Sequence, residues 1–596
     1  MPSPGASRHS ARNRMREAEG PICMLRDVMS NTHEPGEKRW HPHYDEGVPT
    51  SIDFEEIPLH RFVARAAEKW GDRPAISFLN CSFTYAELED KVNRCATALR
   101  NLGVKEGSRV AIQLPNLPQT VIAFHGAVRA GAEVVMTNPL YTLREMEHQW
   151  ADAGCDLAIV ADFIFEETIQ PNRAKLRPKT YVVAHIPDYL RFPLNLLAPI
   201  KLAKASPKRY AKVKTGDGVH EFKKLVEGTA PNPPELSVGM DDICVLQYTG
   251  GTTGLSKGAV LTHRNLVCNA QQIHAWFPKV DPGREVTLNC LPMFHVFGLS
   301  VAMNWSIWSG AKMVVVPNPR DIPALVKAIT KHRVTLFPGV PALFNAINNF
   351  PGVEKLDMTS VKSCFSGSAP IARDVQERFE SLTNSTIIEG FGMSETSPVT
   401  HVNPLYGMRK IGSIGIPVSN TDAKIVDAED DTKELGVGEE GELLVRGPQV
   451  MQGYWNREEE SAETLKGGWM HTGDLASMDE DGYFRICGRK KDMINCSGLK
   501  VFPDEVDEVL MAHPAILEAA TIGVPDPERG ETVKSFIVLN EGASLTEEEV
   551  ESYAREQLAA YKIPRKVQFM DELPKSSVMK ILRRELRDME ERQQGG

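Results

Sequence analysis

The sequence lacks the long apolar run that a membrane span requires. Its most apolar window runs from Gly298 to Val316, but Gly310 and Lys312 interrupt it and Pro317 follows. A span needs about 20 consecutive apolar residues, so this window predicts a buried helix followed by a buried strand. The first 20 residues hold four arginines but no apolar core, which argues against a secretory signal peptide.

Cysteine pairs at metal-binding spacing are also missing. The ten cysteines are scattered, without a Cys-x-x-Cys pair or a Cys/His cluster at zinc spacing. This pattern is typical of a reducing compartment, so we predict a cytoplasmic protein without a zinc cage. Positive charge is in the minority as well: the net charge of −11 argues against nucleic acid as the main partner.

The length of 596 residues predicts two to four domains. Residues 1–45 are predicted to be a disordered N-terminal tail. Two other interpretations stay open: a transit peptide, which Glu17 and Glu19 disfavour, and an overlong start with a later methionine as the first residue.

Strand-like and helix-like segments alternate from about Ser51 onwards. The compact apolar runs SRVAIQL, AEVVMTN and CDLAIVAD flank a helical segment, QTVIAFHGAVRAG, and a second such series runs from AKMVVVPN to STIIEGFG. Strand, helix and strand at this spacing predict an α/β fold with largely parallel, buried sheets. The sequence pattern changes near Gly488, where a polar segment flanked by glycines precedes a compact stretch with its own strands and helices. This change predicts a first domain over 46–489 and a small α+β domain over 490–596, joined by a hinge.

Residues 187–224 differ from their surroundings. They contain the basic run KLAKASPKRYAKVK, with six Lys or Arg residues and no acid. A solvated surface insertion is one interpretation, and contact with an anionic membrane surface is the other.

The glycine-rich loop GGTTG at 250–254 is the first candidate for binding phosphate. The apolar run Ile243–Tyr248 is predicted to be the strand that delivers it. Its glycines let the backbone approach a phosphate closely, while nearby hydroxyls and Lys257 supply donors and positive charge. The loop does not fit the Walker pattern, because Lys257 follows Ser256 rather than glycine. Read alone, the stretch also fits a turn that binds no ligand.

Six further motifs follow in order. They are LPMFHVFGL (291–299), SGSAP (366–370), EGFGMSET (389–396), HTGDL (471–475), GRKKD (488–492) and LPKSSVMKILRREL (573–586). EGFGMSET follows a strand-like run, which places it at a strand's carboxyl end, where open α/β sheets bind ligands. Glu395 in this motif is a hard oxygen donor suited to Mg²⁺. The simpler interpretations are a core histidine for His295, plain solvation for Glu395, and a surface ion pair for Asp474 or Arg489.

With these motifs in this order, the sequence from Ser51 to about Asp588 resembles the adenylate-forming superfamily, which includes acyl-CoA synthetases, firefly luciferase and nonribosomal peptide adenylation domains. The resemblance implies a large N-terminal domain of βα subdomains with parallel sheets and a small, mobile α+β C-terminal domain. It also implies that MgATP activates a carboxylate as an acyl-adenylate, and that the acyl group then passes to a thiol such as CoA after domain rotation. ATP, CoA and Mg²⁺ are therefore the implied cofactors.

The resemblance also assigns roles to single residues. Lys580, which follows Met579 where most relatives have glycine, is implied to bridge the acyl carboxylate and the α-phosphate. Asp474 is implied to accept the ribose hydroxyls, His295 to lie where the carboxylate meets the thiol tunnel, and Lys491 to be the hinge. The implied catalytic residues are Lys580, His295, Thr249, Lys257 and Glu395, of which Glu395 is also the implied metal ligand. The implied nucleotide-binding residues are Thr249, Gly250, Gly251, Thr252, Thr253, Gly254, Lys257, Gly367, Ser368, Ala369, Pro370, Glu389, Gly390, Phe391, Gly392, Met393, Ser394, Asp474, Ile486, Arg489 and Lys580. The implied CoA or hinge residues are Lys491, Ser497, Gly498 and Leu499.

Within the superfamily, the sequence is most similar to bacterial-type medium- and long-chain fatty acyl-CoA synthetases, through segments such as VVPNPRDIPALVKAI and GPQVMQGYWNR. His295 stands where peptide-synthetase adenylation domains have an aspartate for an amino group, which disfavours an α-amino acid substrate. The apolar segments 337–347 and 293–301 suit an alkyl tail. Two rivals stay open: an aryl-CoA ligase of the coumarate or benzoate type, and a non-catalytic nucleotide-binding regulator. The expected partners are a fatty acid and the inner face of a membrane, and the sequence is compatible with a homodimer.

Overall fold

The computed structural model describes residues 38–249, 256–496, 499–527, 529–576 and 581–594. The strands are β1 Pro74–Phe78, β2 Cys81–Thr84, β3 Arg109–Gln113, β4 Glu133–Met136, β5 Leu157–Ala161, β6 Thr180–Ala184, β7 Val219–Glu221, β8 Ile243–Thr249, β9 Lys257–Thr262, β10 Val286–Asn289, β11 Lys312–Val315, β12 Leu336–Gly339, β13 Ser363–Ser366, β14 Thr386–Gly392, β15 Val399–Val402, β16 Ile416–Pro417, β17 Asp422–Val426, β18 Gly441–Arg446, β19 Met470–Met478, β20 Phe484–Arg489, β21 Ile494–Cys496, β22 Leu499–Val501, β23 Ile516–Asp526, β24 Gly530–Leu539 and β25 Lys566–Phe569.

The helices are α1 Phe62–Trp70, α2 Tyr85–Asn101, α3 Pro118–Arg129, α4 Leu143–Asp152, α5 Asp162–Ile164, α6 Leu194–Ala203, α7 Phe222–Glu227, α8 His263–Trp276, α9 Trp305–Ser309, α10 Ile322–His332, α11 Pro341–Asn348, α12 Arg373–Thr383, α13 Glu458–Thr464, α14 Pro503–Met511, α15 Glu547–Gln557 and α16 Arg583–Gln594. Two π-helical segments, Phe165–Ile169 and Phe297–Asn304, supplement them. In the described ranges, none of the helices combines the length and the apolar character that a bilayer crossing requires.

Several helices begin at a Thr-x-x-Glu sequence, a pattern that predicts a helix start. At α2, α4 and α15, the hydroxyl of Thr84, Thr142 or Thr546 accepts the amide of the glutamate three residues later. The carboxylate of that glutamate accepts the threonine amide in return. Each of these reciprocal pairs, known as a capping box, satisfies two backbone amides at the start of a helix, where intrahelical partners are missing.

The first large sheet has seven strands in the order β7-β6-β5-β3-β4-β8-β9. The strands from β7 to β8 run parallel, and only β9 is antiparallel to its neighbour. The helix α3 is buried along its whole length, which agrees with its nearly continuous apolar sequence. The predicted α/β fold with buried parallel strands is confirmed in this part of the chain.

The second large sheet has nine strands in the order β16-β15-β14-β13-β12-β10-β11-β1-β2. Its strands run parallel from β14 to β1, and antiparallel pairs close both edges. Because the carboxyl ends of parallel strands share one edge, the segments after β12, β13 and β14 are neighbours. Two of the predicted motifs, SGSAP and EGFGMSET, lie at this edge.

Two smaller sheets complete the fold. A four-stranded antiparallel sheet, β17-β18-β19-β20, was not part of the prediction, which considered only parallel sheets for the first domain. The last sheet has the order β22-β21-β24-β23, with β25 paired to β24. Residues 490–493 separate β20 from β21, so the chain changes sheet close to the boundary predicted after residue 489.

The predicted disordered tail of residues 1–45 extends too far. Residues 38–45 are packed: Trp40 is buried, and the buried carboxylate of Asp45 accepts two backbone amides of residues 405–406 at 2.7 and 2.9 Å. These contacts join segments about 360 residues apart, so no local pattern could have predicted them.

Candidate active site

The site begins where the two strands that flank the glycine-rich loop meet the EGFGMSET motif. Thr249 ends β8 and lies opposite Lys257, the first residue of β9, so the two residues mark the ends of the loop. The 3-10 turn Ser394–Thr396 follows β14 and contacts both β8 and β9. The fold therefore brings the two motifs together. The loop residues Gly250, Gly251, Thr252, Thr253 and Gly254 lie outside the described residues.

Glu395 is a buried carboxylate at the centre of this junction. Its Oε1 accepts a hydrogen bond from the hydroxyl of Tyr454 at 2.8 Å, and its carbonyl accepts the amide of Met451 at 2.7 Å. Burial, together with the charge of Glu395, raises the pKa of Tyr454 above its usual value. The phenol therefore stays protonated and fixes the orientation of the carboxylate.

The segment around Tyr454 runs beside β9, which explains the contact. Tyr454 forms an isolated bridge with Ala259, and the amide of Trp455 donates to the carbonyl of Gly258 at 2.8 Å. Tyr454 was not among the predicted site residues, because 59 residues separate it from Glu395. The one sequence signal at this position was the segment GPQVMQGYWNR, which is similar to fatty acyl-CoA synthetases but indicates no role for Tyr454.

Charged groups of both signs lie near Lys257 at the end of the loop. Burial, with the charges of Lys491 and Arg457, lowers the pKa of Lys257, and the charges of Glu395 and Glu463 oppose this shift. Lys257 forms an ion pair with Glu460 of α13, a second residue that sequence analysis missed. A polyphosphate suits such a cluster and would compete with Glu460 for Lys257.

Asp474 of the motif HTGDL and Arg489 of the motif GRKKD form an ion pair with each other. They lie opposite each other on β19 and β20, with Oδ1 of Asp474 at 2.7 Å from Nε of Arg489. Asp474 is buried and Arg489 is one-third exposed, so a surface ion pair does not describe them. Ile486, on the same strand β20, is partly buried. It packs against a second apolar core, which includes Phe337 and Ile387 of the nine-stranded sheet. The arrangement fixes a carboxylate that can accept a pair of hydroxyls.

The SGSAP loop is held in place from the neighbouring strand. The buried Glu389 of β14 accepts the amides of Ile371, at 3.3 Å, and Gly412, at 3.1 Å. Burial raises the pKa of Glu389, and these two hydrogen bonds oppose the rise. Ser368 has a φ of +74°, a strained conformation for a residue with a side chain. Glu389 thus shapes the loop that contains Gly367, Ser368, Ala369 and Pro370.

The backbone after Glu389 passes close to Pro398 at Gly392. A Cβ on Gly392 would lie 2.0 Å from the carbonyl oxygen of Pro398, so only glycine fits this position. Phe391 is partly buried against the second core, with its ring centroid 6.1 Å from that of His401. Of the remaining motif residues, Gly390 lies in β14, Met393 precedes the 3-10 turn, and Ser394 begins it.

An apolar cavity of about 220 Å³ borders the SGSAP loop. Its lining includes His295, Phe297, Val340, Leu343, Ala346 and Ser368. His295 is therefore a cavity residue rather than a simple core histidine, and its Nδ1 accepts the amide of Phe297 at 3.3 Å. Both apolar segments that the sequence singled out, 293–301 and 337–347, contribute to this wall.

The chain leaves the first domain through a tethered turn. The amide of Lys490 donates to the carbonyl of Gly473 at 3.0 Å, and its Nζ lies 2.9 Å from Glu442. Lys491 is exposed beyond this tether, as is Leu499. The predicted residues Ser497, Gly498 and Lys580 lie outside the described residues.

The ion pair between Glu442 and Lys490 predicts that Glu442 makes a pH-dependent contribution to the stability of the fold. Burial alone would raise the pKa of Glu442, but hydrogen bonds and charge from His471 and Lys490 lower it to about 2. A glutamate in an unfolded chain has a pKa of about 4.3, so ionised Glu442 stabilises the fold above that pH. Glu442→Gln should lower the free energy of unfolding by about 2 kcal/mol at pH 7, measured by urea titration.

The difference between the two proteins should shrink as the pH falls from about 5 towards 3, because the native carboxylate loses its advantage between the unfolded and folded pKa values. Glu434→Gln, at an exposed glutamate, is the matched control and should change little. A difference that stays constant over this pH range would contradict the prediction.

The chain matches two known family models. The family model described as AMP-binding enzyme matches residues 63–455, and the model of the AMP-binding enzyme C-terminal domain matches residues 505–580. The motifs of the candidate site up to the GYW segment lie within the first match.

Individual proteins match over most of the chain. A long-chain-fatty-acid–CoA ligase of Bacillus subtilis (strain 168) is 41% identical over 562 residues, covering 93% of this chain and 98% of that protein. A ligase of the same name from Escherichia coli O157:H7 is 41% identical over 554 residues, covering 92% and 98%. Among solved structures, the anthranilate CoA ligase AuaEII in complex with anthranoyl-AMP has a TM-score of 0.80 at 26% identity, covering 91% of this chain and 98% of that chain.

Proposed function

Because this chain belongs to the family of AMP-binding enzymes, we propose that it is a fatty acid–CoA ligase, which joins a fatty acid to CoA and converts ATP to AMP and pyrophosphate. The observation that carries the proposal is the apolar cavity beside the SGSAP loop, where an alkyl tail can lie while its carboxylate faces the nucleotide motifs. The relatives named as long-chain-fatty-acid–CoA ligases, at 41% identity, support the same substrate class.

In this proposal the nucleotide lies across the junction of the motifs. Lys257, Arg457 and Lys491 attract the phosphates, and Asp474 accepts the ribose hydroxyls. The backbone of residues 367–370 lines the adenine.

Magnesium enters the proposal through Glu395. Among the described residues, no group of three or more His, Cys, Asp or Glu side chains forms a metal cage. Mg²⁺ needs no such cage, since it binds through one or two carboxylates together with substrate phosphates. Glu395, oriented by Tyr454, fits this donor set. When bound, the ion would neutralise phosphate charge.

The second half of the proposed reaction requires the C-terminal domain. We assign Lys580 to adenylate formation. Its positive charge would lie between the acyl carboxylate and the α-phosphate and reduce the repulsion between these two anions. Rotation at Lys491 would then remove Lys580 and bring Ser497, Gly498 and Leu499 towards CoA. We place the enzyme in the cytoplasm, in contact with the inner face of a membrane and free to form a homodimer.

The nucleotide product tests the proposed function. The purified protein is incubated with ATP, Mg²⁺ and CoA, and with either fatty acids of 6 to 18 carbons or coumarate as the acid. Acid-dependent release of AMP and pyrophosphate, fastest with a fatty acid, is the expected result. ADP as the product would contradict adenylate chemistry, whereas coumarate as the best acid would favour an aryl-CoA ligase. No turnover with any acid would favour a non-catalytic regulator.

Filling the cavity should shift the preferred chain length. Ala346 lies on α11 and lines the cavity, so the indole of Ala346→Trp would occupy space that a long alkyl tail needs. We expect kcat/KM for a 16-carbon acid to fall about tenfold or more relative to a 6-carbon acid, since each lost methylene contact weakens binding. Ala324→Trp, on the exposed side of α10, is the matched control. Equal losses for both acids would argue against this position of the tail.

A further inference from the structure

The connection between β6 and β7 exposes an apolar surface. Phe192 and, on α6, Leu196, Leu197 and Ile200 have exposed fractions between 56% and 77%. A surface helix of a globular protein normally turns apolar residues to the core and polar residues to solvent. Helix α6 departs from this rule, because its outward side is apolar.

The inward side of α6 already meets the needs of the fold. Leu194 and Ala198, four residues apart on one helix face, are partly buried. They pack against the apolar core that includes the seven-stranded sheet. The outward leucines are on the other side and add no core contact. Exposed apolar side chains that cluster in this way mark an interaction surface rather than a packing requirement.

The turn between β1 and β2 extends the same surface. The amide of the Asn80 side chain donates to the carbonyl of Arg191 at 2.8 Å, and the Arg191 backbone amide donates to Oδ1 of Asn80 at 3.1 Å. This paired contact holds the turn next to the start of the connection. Leu79, which precedes Asn80 on that turn, is half exposed, so it adds a fifth exposed apolar side chain near the start of the connection.

Positive charge surrounds this apolar patch. Residues 191–214 contain seven Lys or Arg residues and no Asp or Glu, in a chain whose net charge is −11. Within the described residues, Lys201, Lys204 and Arg209 have no ion-pair partner, whereas Lys208 pairs with Glu166. An apolar patch flanked by unpaired cations is typical of surfaces that bind anionic lipid.

We propose that α6, Phe192 and Leu79 dock on an anionic lipid bilayer. The apolar side chains enter the boundary between headgroups and acyl chains, and Lys201 and Lys204 contact the anionic headgroups. The docking deepens the proposed function, since a fatty acid substrate partitions into bilayers. A second copy of the chain is the less favourable occupant, because two copies of this basic surface repel each other.

Vesicle sedimentation tests the docking surface. Vesicles of phosphatidylcholine with phosphatidylglycerol are compared with vesicles of phosphatidylcholine alone, using the full chain. We expect preferential binding to the anionic vesicles, weakened by salt. The variant Leu196→Ser/Leu197→Ser/Ile200→Ser should bind about tenfold more weakly or worse. The control Leu356→Ser/Met511→Ser/Leu517→Ser, which changes exposed apolar residues elsewhere, should bind as the unaltered protein does.

Charge is tested separately from apolar contact. Lys201→Gln/Lys204→Gln should lose several-fold in binding to anionic vesicles only, whereas Lys327→Gln/Lys331→Gln, on exposed positions of α10, should not. Turnover of a water-soluble 8-carbon acid without vesicles should be the same in all variants. That assay separates the docking surface from the proposed function, since failure of the latter would abolish turnover in every protein.

Three results would overturn the proposal. The first is equal binding of the triple serine variant and the unaltered protein, and the second is equal binding to neutral and anionic vesicles. The third is a dimer in analytical ultracentrifugation that the triple serine variant dissociates, because the surface would then belong to a second copy of the chain.

Discussion

Replacing Glu395 by glutamine is expected to slow acid-dependent exchange of pyrophosphate into ATP by about 10²-fold or more. The substitution keeps the size of the side chain and its ability to accept from Tyr454, at 2.8 Å in the structure, but removes the negative charge. That charge is what a magnesium–phosphate group requires of a carboxylate at this position. Loss of exchange without loss of folding would therefore locate the defect in the charge itself.

Two companion variants sharpen this result. Tyr454→Phe removes only the hydrogen bond that orients the carboxylate, so exchange should fall about tenfold, less than in Glu395→Gln. Glu459→Gln removes an equal charge from the exposed side of nearby α13 and should leave exchange almost unchanged. If Glu395→Gln retained near-normal exchange at saturating Mg²⁺, the carboxylate would have no part in the reaction.

The backbone of the site was predictable because its signals are local. A β-rich run followed by glycines and hydroxyl residues predicts a strand followed by a loop, and β8 ends at Thr249, one residue beyond the predicted Tyr248. EGFGMSET likewise follows a strand, and the parallel order of β12, β13 and β14 explains why SGSAP lies beside it. Periodicity and chain order were sufficient for these placements.

The side-chain partners were not predictable, because they join distant segments. Tyr454 contacts Glu395 and Glu460 contacts Lys257 only after the fold has brought β9 beside residues 450–455. No periodicity in a single sequence encodes a pairing over such separations. The antiparallel sheet β17–β20 likewise depends on pairing between separated segments, such as Leu444 of β18 with His471 of β19.

The surface of α6 could be predicted only in part from the sequence. The basic residues at 201–214 were visible as a charge run, and the two interpretations, solvation and lipid contact, stayed open. Which apolar face packs inward depends on tertiary contacts, since α6 is apolar on both sides. Only the structure separates the leucines that pack from those that face solvent.

Lys491→Pro is expected to stall thioester formation by about 10²-fold while acyl-adenylate still forms. The amide of Asp492 donates to the carbonyl of Arg489 at 3.0 Å, which closes a turn with Lys490 and Lys491 at its centre. Proline at the second central position disfavours this turn and also restricts Lys490. A chain that must rotate here between two half-reactions would lose one of its two conformations.

Proline at this position deletes no backbone donor that the structure uses, which makes the outcome interpretable. Among the backbone hydrogen bonds of the described residues, none is donated by the amide of Lys491, so the substitution acts by restricting the turn. Lys491→Ala, which deletes the charge but keeps the backbone free, is the matched control: it should complete both half-reactions, with a raised KM for ATP because one cation that attracts the phosphates is lost. The two steps are measured separately, by pyrophosphate exchange and by conversion of supplied acyl-adenylate and CoA to acyl-CoA. Equal loss of both steps in a folded Lys491→Pro protein would show that the position does not control rotation, because a hinge defect must affect the two orientations unequally.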